Sequence, residues 1–394
     1  LRTIRENIYW VGAIDWDARL FDRLIPLPDG TSYNAYLVKG SAKTALLDTV
    51  EPKMFDVLLK NLKALKLDTL DYIIAHHAEQ DHSGALPHIL ARYPQAKIIT
   101  NPKCRDMLSA LFDLPEDRII TIEDSQELSL GDKTLRFIYL PWVHWPETMG
   151  TYLAEDKILF SCDLFGAHLA SSRLFVGEDE TIVYEPAKRY YAEIMMPFRQ
   201  QINRNLQKLT DLDIDMIAPS HGPIYDRPEC ILDAYKDWTS DNVKNEVILP
   251  YVSMHGSTAA MVAHFVDALI ERGITVRQFE LSTIDIGKLA ISLVDAATVV
   301  IGSPTVLTGP HPTAAYAAFL ANSLRPKTRF ASMIGSYGWA GKMVEQLTGM
   351  MTNLKVELLA PVVAKGYPKK NDVSMLDRLA DEIHAKHKEI GIVK

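Results

Sequence analysis

Apolar residues recur along the chain in short runs, separated by polar turns and by stretches of helical spacing. The runs at 33–38 and 44–48 predict neighbouring strands. The segment 52–65 places Met54, Val57, Leu58, Leu62 and Leu65 on one helical face. A short buried strand at 72–75 leads into a helix over 84–93. Further strands are predicted at 118–122, 135–140, 149–154, 157–161 and 214–219, a long helix at 187–209 and another at 229–238. The polar stretch that starts at Thr239 then breaks the pattern, and a domain boundary is expected near 245. Beyond it, strands at 246–252, 274–280, 297–302, 328–334 and 354–360 alternate with helices at 258–272, 286–293, 312–323, 340–352 and 374–390. Five strands alternating with helices predict a doubly wound parallel sheet. The expected organisation is therefore α/β throughout, with domains at 1–245 and 246–394; 394 residues exceed what one ordinary core holds.

Composition adds exclusions. Hydrophobic residues make up 47% and charged residues 23%, as in ordinary globular proteins. A net charge of -8 argues against nucleic acid as the partner. No run of about 18 apolar residues occurs, so no membrane span is expected. The start, Leu1-Arg-Thr-Ile-Arg-Glu-Asn, has no apolar signal core. Cys104, Cys162 and Cys230 are far apart, which fits a reducing cytoplasm and excludes an in-chain rubredoxin or iron–sulfur module, which needs four thiolates.

The chemistry concentrates in "AHHAEQDHSG", residues 75–84, which contains His77-x-Glu79-x-Asp81-His82. Charged groups are costly to bury unpaired, so two carboxylates and two histidines within six residues point to a metal rather than to packing. His76 would point away from His77 in a strand and is read as an ordinary hydrogen-bonded histidine. More ligands are expected at the ends of later apolar runs: His144 in "LPWVHWPETM", Asp163 in "LFSCDLFGAH" and His221 in "IAPSHGPIY".

In that order the residues resemble the metallo-β-lactamase superfamily, whose hydrolases carry H-x-H-x-D-H. Glu79 stands in place of the second histidine. That exchange, with "HWPETM", "CDLFGAH", "AKRYYAEIMMPF" and "APSHG", resembles the flavodiiron proteins, over essentially the whole chain. The resemblance implies an N-terminal αββα metallo-β-lactamase-like domain followed by a flavodoxin-like domain with a five-stranded parallel sheet. It implies that His77, Glu79 and His144 hold one iron, that Asp81, His82 and His221 hold the other, and that Asp163 bridges them. Exchanging imidazole for carboxylate hardens the site and favours iron over zinc. His168, Tyr190 and Tyr191 resemble residues that line the pocket or donate protons.

The second domain opens with Ser253, Met254, His255, Gly256, Ser257 and Thr258 between a strand and a helix. Hydroxyls and backbone N–H groups at a helix start suit a phosphate. Two later loops, "GSPTVLTGP" with Ser303, Pro304 and Thr305, and "GSYGWAG" with Ser336, Tyr337, Gly338 and Trp339, follow the third and fourth strands, where such sheets bind FMN. No G-x-G-x-x-G occurs, so a separate dinucleotide domain is not expected.

The resemblance implies an oxidoreductase that passes electrons from reduced FMN to two irons and reduces dioxygen to water, nitric oxide to nitrous oxide, or both. It implies an external donor, either a rubredoxin-like protein or a reduced cofactor, and a head-to-tail homodimer or a dimer of dimers. A zinc hydrolase fused to a flavodoxin-like domain is the alternative, and Glu79 argues against it. A pure electron carrier would not need the full ligand set. Two departures stand out. Asp22 follows Phe21 where family members often have a histidine, and Trp142 stands two residues before His144 in place of a smaller apolar residue.

Overall fold

The computed structural model describes residues 1–393. The chain divides into two compact units, one of Leu1–Tyr191 with Phe198–Thr239, the other of Ala192–Pro197 with Ser240 onward.

The first unit is built on two sheets. One runs in the spatial order Arg2–Arg5, Ile8–Trp10, Tyr36–Lys39, Thr44–Leu47, Tyr72–Ile74, Lys97–Thr100, Ile119–Thr121. The other runs Glu127–Ser129, Thr134–Tyr139, Met149–Leu153, Ile158–Cys162, Met216–Pro219. Side-chain alternation builds the layers. Tyr36, Val38, Ala45, Leu47, Ile74 and Ile99 face Phe137, Met149, Phe160 and Ala218 of the second sheet. The intervening Leu37, Leu46, Ile73 and Ile98 pack with Leu58, Leu62, Leu86, Ile89 and Leu108, which lie on the helices Phe55–Ala64, Leu86–Arg92 and Pro102–Leu111. The short N-terminal strands were not anticipated; at two to four residues they carry too little periodicity to read.

The predicted long helix at 187–209 is corrected. A helix spans Thr181–Tyr190, a wide turn Tyr191–Met195, a tight turn Met196–Phe198, and a second helix Arg199–Lys208. Pro197, which lacks an N–H, sits in the tight turn Met196–Phe198 where the ladder is interrupted.

In the second unit all five main strand positions are parallel, in the order Thr275–Glu280, Lys244–Tyr251, Ala296–Val306, Phe330–Tyr337, and then a divided last position. That is the flavodoxin-like order 2-1-3-4-5. The last strand, expected at 354–360, is replaced by Glu357–Leu358 and Val362–Lys365, both paired with Phe330–Tyr337. The interruption contains Pro361, which cannot donate to the ladder. Among the described residues no helix is long and apolar enough to cross a membrane.

Candidate metal centre and flavin cradle

The strand Tyr72–Ile74 delivers the chain to His77, and the turn Gln80–Ser83 that follows carries Asp81 and His82 back to the same point. Asp163 lies just beyond the strand Ile158–Cys162, and His221 just beyond Met216–Pro219. These loops need unusual backbone. Asp48, His144, Cys162 and Phe165 all have positive φ, and Gly222 has φ +81° with no room for a Cβ beside the Ala167 carbonyl. Asn34 ties the loop of His221 down, donating to the Pro219 and Gly222 carbonyls at 2.8 Å each.

The seven candidate ligands form two groups that share Asp163. His77 Nε2 lies 3.2 Å from Glu79 Oε2, and His144 Nε2 lies 3.1 Å from that same oxygen. Asp163 Oδ2 completes this group at 3.6 Å from His77 and 3.1 Å from His144. Across the carboxylate, Asp163 Oδ1 lies 3.1 Å from His82 Nε2 and 3.4 Å from His221 Nε2. Asp81 lies 3.4 Å from His82 and 3.2 Å from His221.

Such spacings suit a cation in each group. Ligands roughly 2.1 Å from one metal at tetrahedral or octahedral angles lie about 3.0–3.4 Å apart. Both Asp81 oxygens, His82 Nε2 and Asp163 Oδ1 are buried and accept or donate no hydrogen bond. Buried groups left so cost free energy unless something positive sits among them. The electrostatics agree. Burial alone would depress the imidazoles, yet hydrogen bonds to Glu147 and Glu79 lift His77 to about 10. His82 and His144 rise to about 9 and His221 to about 10, against the same burial effect, through Asp163 and its neighbouring carboxylates. Burial likewise would raise Asp163, but His82, His144 and His221 hold it well below the usual carboxylate range. Raised imidazoles and lowered carboxylates mark a site that favours positive charge.

Around the ligands, His76 is a buried hydrogen-bonded histidine, as expected. Its Nδ1–H donates to Asp48 at 2.7 Å, and Nε2 lies 2.7 Å from the Thr151 hydroxyl. His168 stacks near His221, with ring centres 5.0 Å apart, and Tyr190 lies 4.8 Å from His168. Burial, then His221, push the His168 imidazole well below its ordinary range, so it stays neutral. Thr31 Oγ1 is 2.9 Å from His168 Nδ1, while Nε2 is buried without a partner. Tyr191 is placed elsewhere. It packs on Tyr235 and Trp238, and its hydroxyl donates to the Trp238 carbonyl at 3.1 Å.

In the second unit, Ser253, Met254, His255, Ser257 and Thr258 line a cavity of about 200 Å³ with Pro304, Thr305, Ser336, Tyr337 and Gly338. Gly256 has φ +87° and caps the helix Ser257–Glu271, whose first N–H groups are anion donors. Ser253 Oγ accepts from Ala259 N–H at 3.1 Å, and the hydroxyls of Thr258 and Ser336 lie 3.3 Å apart. Thr305 and Tyr337 also line an adjoining cavity of about 460 Å³, with Lys342 and Met343. Thr305 and Tyr337 are common to the walls of both cavities. Three predicted residues are not on these walls: Gly256 serves as the helix cap, Ser303 is spent on its own turn, donating to the Pro304 carbonyl and accepting from His311 N–H, and Trp339 is 80% exposed.

Comparison with known proteins decides the family. The profile described as "ODP family beta lactamase" matches residues 31–222. A nitric oxide reductase of Moorella thermoacetica is 34% identical over 97% of this chain and 98% of its own. The chain belongs to the flavodiiron protein family.

A coenzyme F420H2 oxidase of Methanothermobacter marburgensis is 34% identical over 90% of each chain. The solved structure of rubredoxin oxygen:oxidoreductase from Desulfovibrio gigas superposes with a TM-score of 0.94 at 29% identity, covering 98% of both chains. These flavodiiron relatives are oxidoreductases, as the resemblance implied. Within this flavodiiron chain the two departures differ in their surroundings. Asp22 is a left-handed residue whose carboxyl is raised first by burial and then by Glu79 and Asp81. Trp142 has φ +65° and stacks on Phe198, ring centres 5.6 Å apart. One residue escaped the sequence reading although "HWPETM" contains it. Glu147 accepts the His77 Nδ1–H at 2.7 Å; nothing in its spacing marks it.

Proposed function

We propose that this chain is a flavodiiron gas reductase in which His77, Glu79 and His144 hold one iron, Asp81, His82 and His221 hold the second, and Asp163 bridges them. FMN would sit in the cradle of Ser253 to Thr258, with the loops of Pro304–Thr305 and Ser336–Gly338 against its ring. The observation that carries this reading is Asp163, whose two oxygens face two separate ligand groups. Glu79 supports iron over zinc, since it adds a hard anionic donor. When bound, the flavin supplies single electrons and the paired irons a place to bind and reduce dioxygen or nitric oxide.

The chain's own residues do the rest. Asp163 holds the two metal positions in register. Neutral His168, with a free Nε2, and Tyr190, kept protonated by burial, are the proton carriers nearest His221. Tyr191 serves packing. The external donor is a rubredoxin-like protein or a reduced cofactor, and the chain works in the cytoplasm. A symmetric dimer, two chains head to tail, brings each flavin to the partner's irons.

Elemental and flavin analysis tests the cofactors, with about two irons and about one FMN per chain expected. Zinc without iron would replace this reading by a hydrolase. Steady-state turnover with each gas, using a chemically reduced donor, tests the reaction. Mixed dimers of a metal-deficient and a flavin-deficient chain should regain gas reductase activity; their inactivity would overturn the head-to-tail arrangement.

A further inference from the structure

We propose that Glu147 is a fourth carboxylate of the metal centre, a positioning residue that fixes His77 and selectively lowers the reduction potential of the iron held by His77, Glu79 and His144. The inference rests on the iron assignment above.

Glu147 is built into the fold as a charge, not as a surface residue. Its side chain is 0% exposed. Oε1 accepts from His77 Nδ1–H at 2.7 Å and from Ala78 N–H at 3.1 Å. Oε2 is buried with no hydrogen-bond partner. The loop around it is pinned: Asn101 donates to the Glu147 carbonyl, and the Thr148 hydroxyl donates to the Val143 carbonyl at 2.9 Å. Once His77 gives its Nε2 to a metal it is a neutral imidazole, and a neutral imidazole with one amide does not compensate a carboxylate removed from water; the bound cation does.

The charge balance closes on that cation. Glu79, Asp81 and Asp163 leave one positive charge on two divalent ions, and Glu147 cancels it, so that the reduced centre is neutral in its buried setting.

The direct effect is one-sided: the buried Asp48 carboxylate lies within 4.8 Å of a His82 ring nitrogen on the other metal, but it is hydrogen-bonded to His76 and not to His82. His77 donates its distal N–H to a carboxylate, which fixes the Nε2-ligating tautomer and makes the ring a stronger electron donor. His221, on the other metal, donates its Nδ1–H to the Ser32 carbonyl at 2.7 Å, a neutral acceptor. The iron backed by an anion through its histidine is the easier of the two to oxidise, so the mixed-valent centre carries its ferric charge there.

The test compares Glu147→Gln, Glu147→Ala and Glu147→Asp with the wild type by iron content and by redox titration followed through the mixed-valent EPR signal. Glutamine keeps an acceptor for His77 Nδ1–H and removes only the charge. It should keep iron near the wild-type level and lower the oxidised-to-reduced ratio of one iron step about tenfold at fixed potential, 59 mV for one electron. The second step should move less. Glu147→Ala should lose iron from one position. If Glu147→Gln fails to hold iron, Glu147→Asp decides: iron retained by aspartate supports the charge, and loss in both overturns it. Unchanged potentials in a fully loaded Glu147→Gln variant, or equal shifts in both steps, also overturn the proposal. A wild type without iron would instead remove the flavodiiron assignment itself.

Discussion

The metal groups and the flavin cradle solve opposite problems with different parts of the chain. The metal ligands are side chains, nearly all buried, converging within 3.1–3.6 Å of one another from four loops. The cradle is shallow and made of hydroxyls, a glycine turn and a helix start, around a cavity of about 200 Å³. A cation demands anionic and imidazole donors that only particular side chains supply, and their burial is tolerated only with the ion in place. A phosphate is met by backbone N–H groups that nearly any residue provides. The first site is therefore strict in residue type and the second in backbone shape, and substitutions should separate them.

Asp163→Asn should have the largest effect. Removing the shared charge should empty or scramble both metal positions and reduce gas turnover by more than about 100-fold, beyond the losses usual for groups behind the ligands. Flavin absorbance should persist; its loss would mean that the two sites are not separable. Thr258→Lys makes the reciprocal cut. A long side chain in the cradle should abolish FMN retention while elemental analysis still finds metal at the wild-type ratio. Glu79→His sharpens the metal side alone: in medium containing both metals, the zinc-to-iron ratio should rise several-fold, and an unchanged ratio would count against the hardness argument.

The smallest expected effect is on the pH dependence of the metal-free protein. His77, His82, His144 and His221 are raised in the fold to about 9 or 10 from 6.5. Their paired, protonated forms contribute stability that is full below about 6.5 and is lost as pH rises through 9 to 10. Glu79 and Asp163 are lowered, so their contribution is present above the ordinary carboxylate range and fades in acid. The melting temperature of apoprotein should fall between pH 8 and about pH 10.5, and that of metal-loaded protein should fall less. Parallel curves would show that the metal does not replace those protons.

The amino-acid sequence by itself carried the α/β class, the alternation that makes the parallel sheet, and the seven metal-ligand candidates, because strand ends punctuate apolar runs and charged residues there have few other reasons to be buried. His76 was set apart from His77 by expected strand alternation, although the strand itself ends at Ile74. What only the tertiary structure decided was geometry between distant segments. Tyr190 and Tyr191 are adjacent and chemically alike, yet one faces His168 and the other Trp238, because successive residues of a helical backbone point about 100° apart and pack against different neighbours. Ser303 read like a cradle hydroxyl and is used by its own turn. Pro197 was visible, but the break in the helix around it was not, since helical periodicity resumes beyond it. Glu147 was hidden most completely: a lone glutamate after a histidine reads as surface charge, and only the folded chain brings it 70 residues back to the far nitrogen of His77. Local pattern records which groups are buried; which nitrogen a carboxylate meets depends on the packing of two sheets, and no window of sequence contains that.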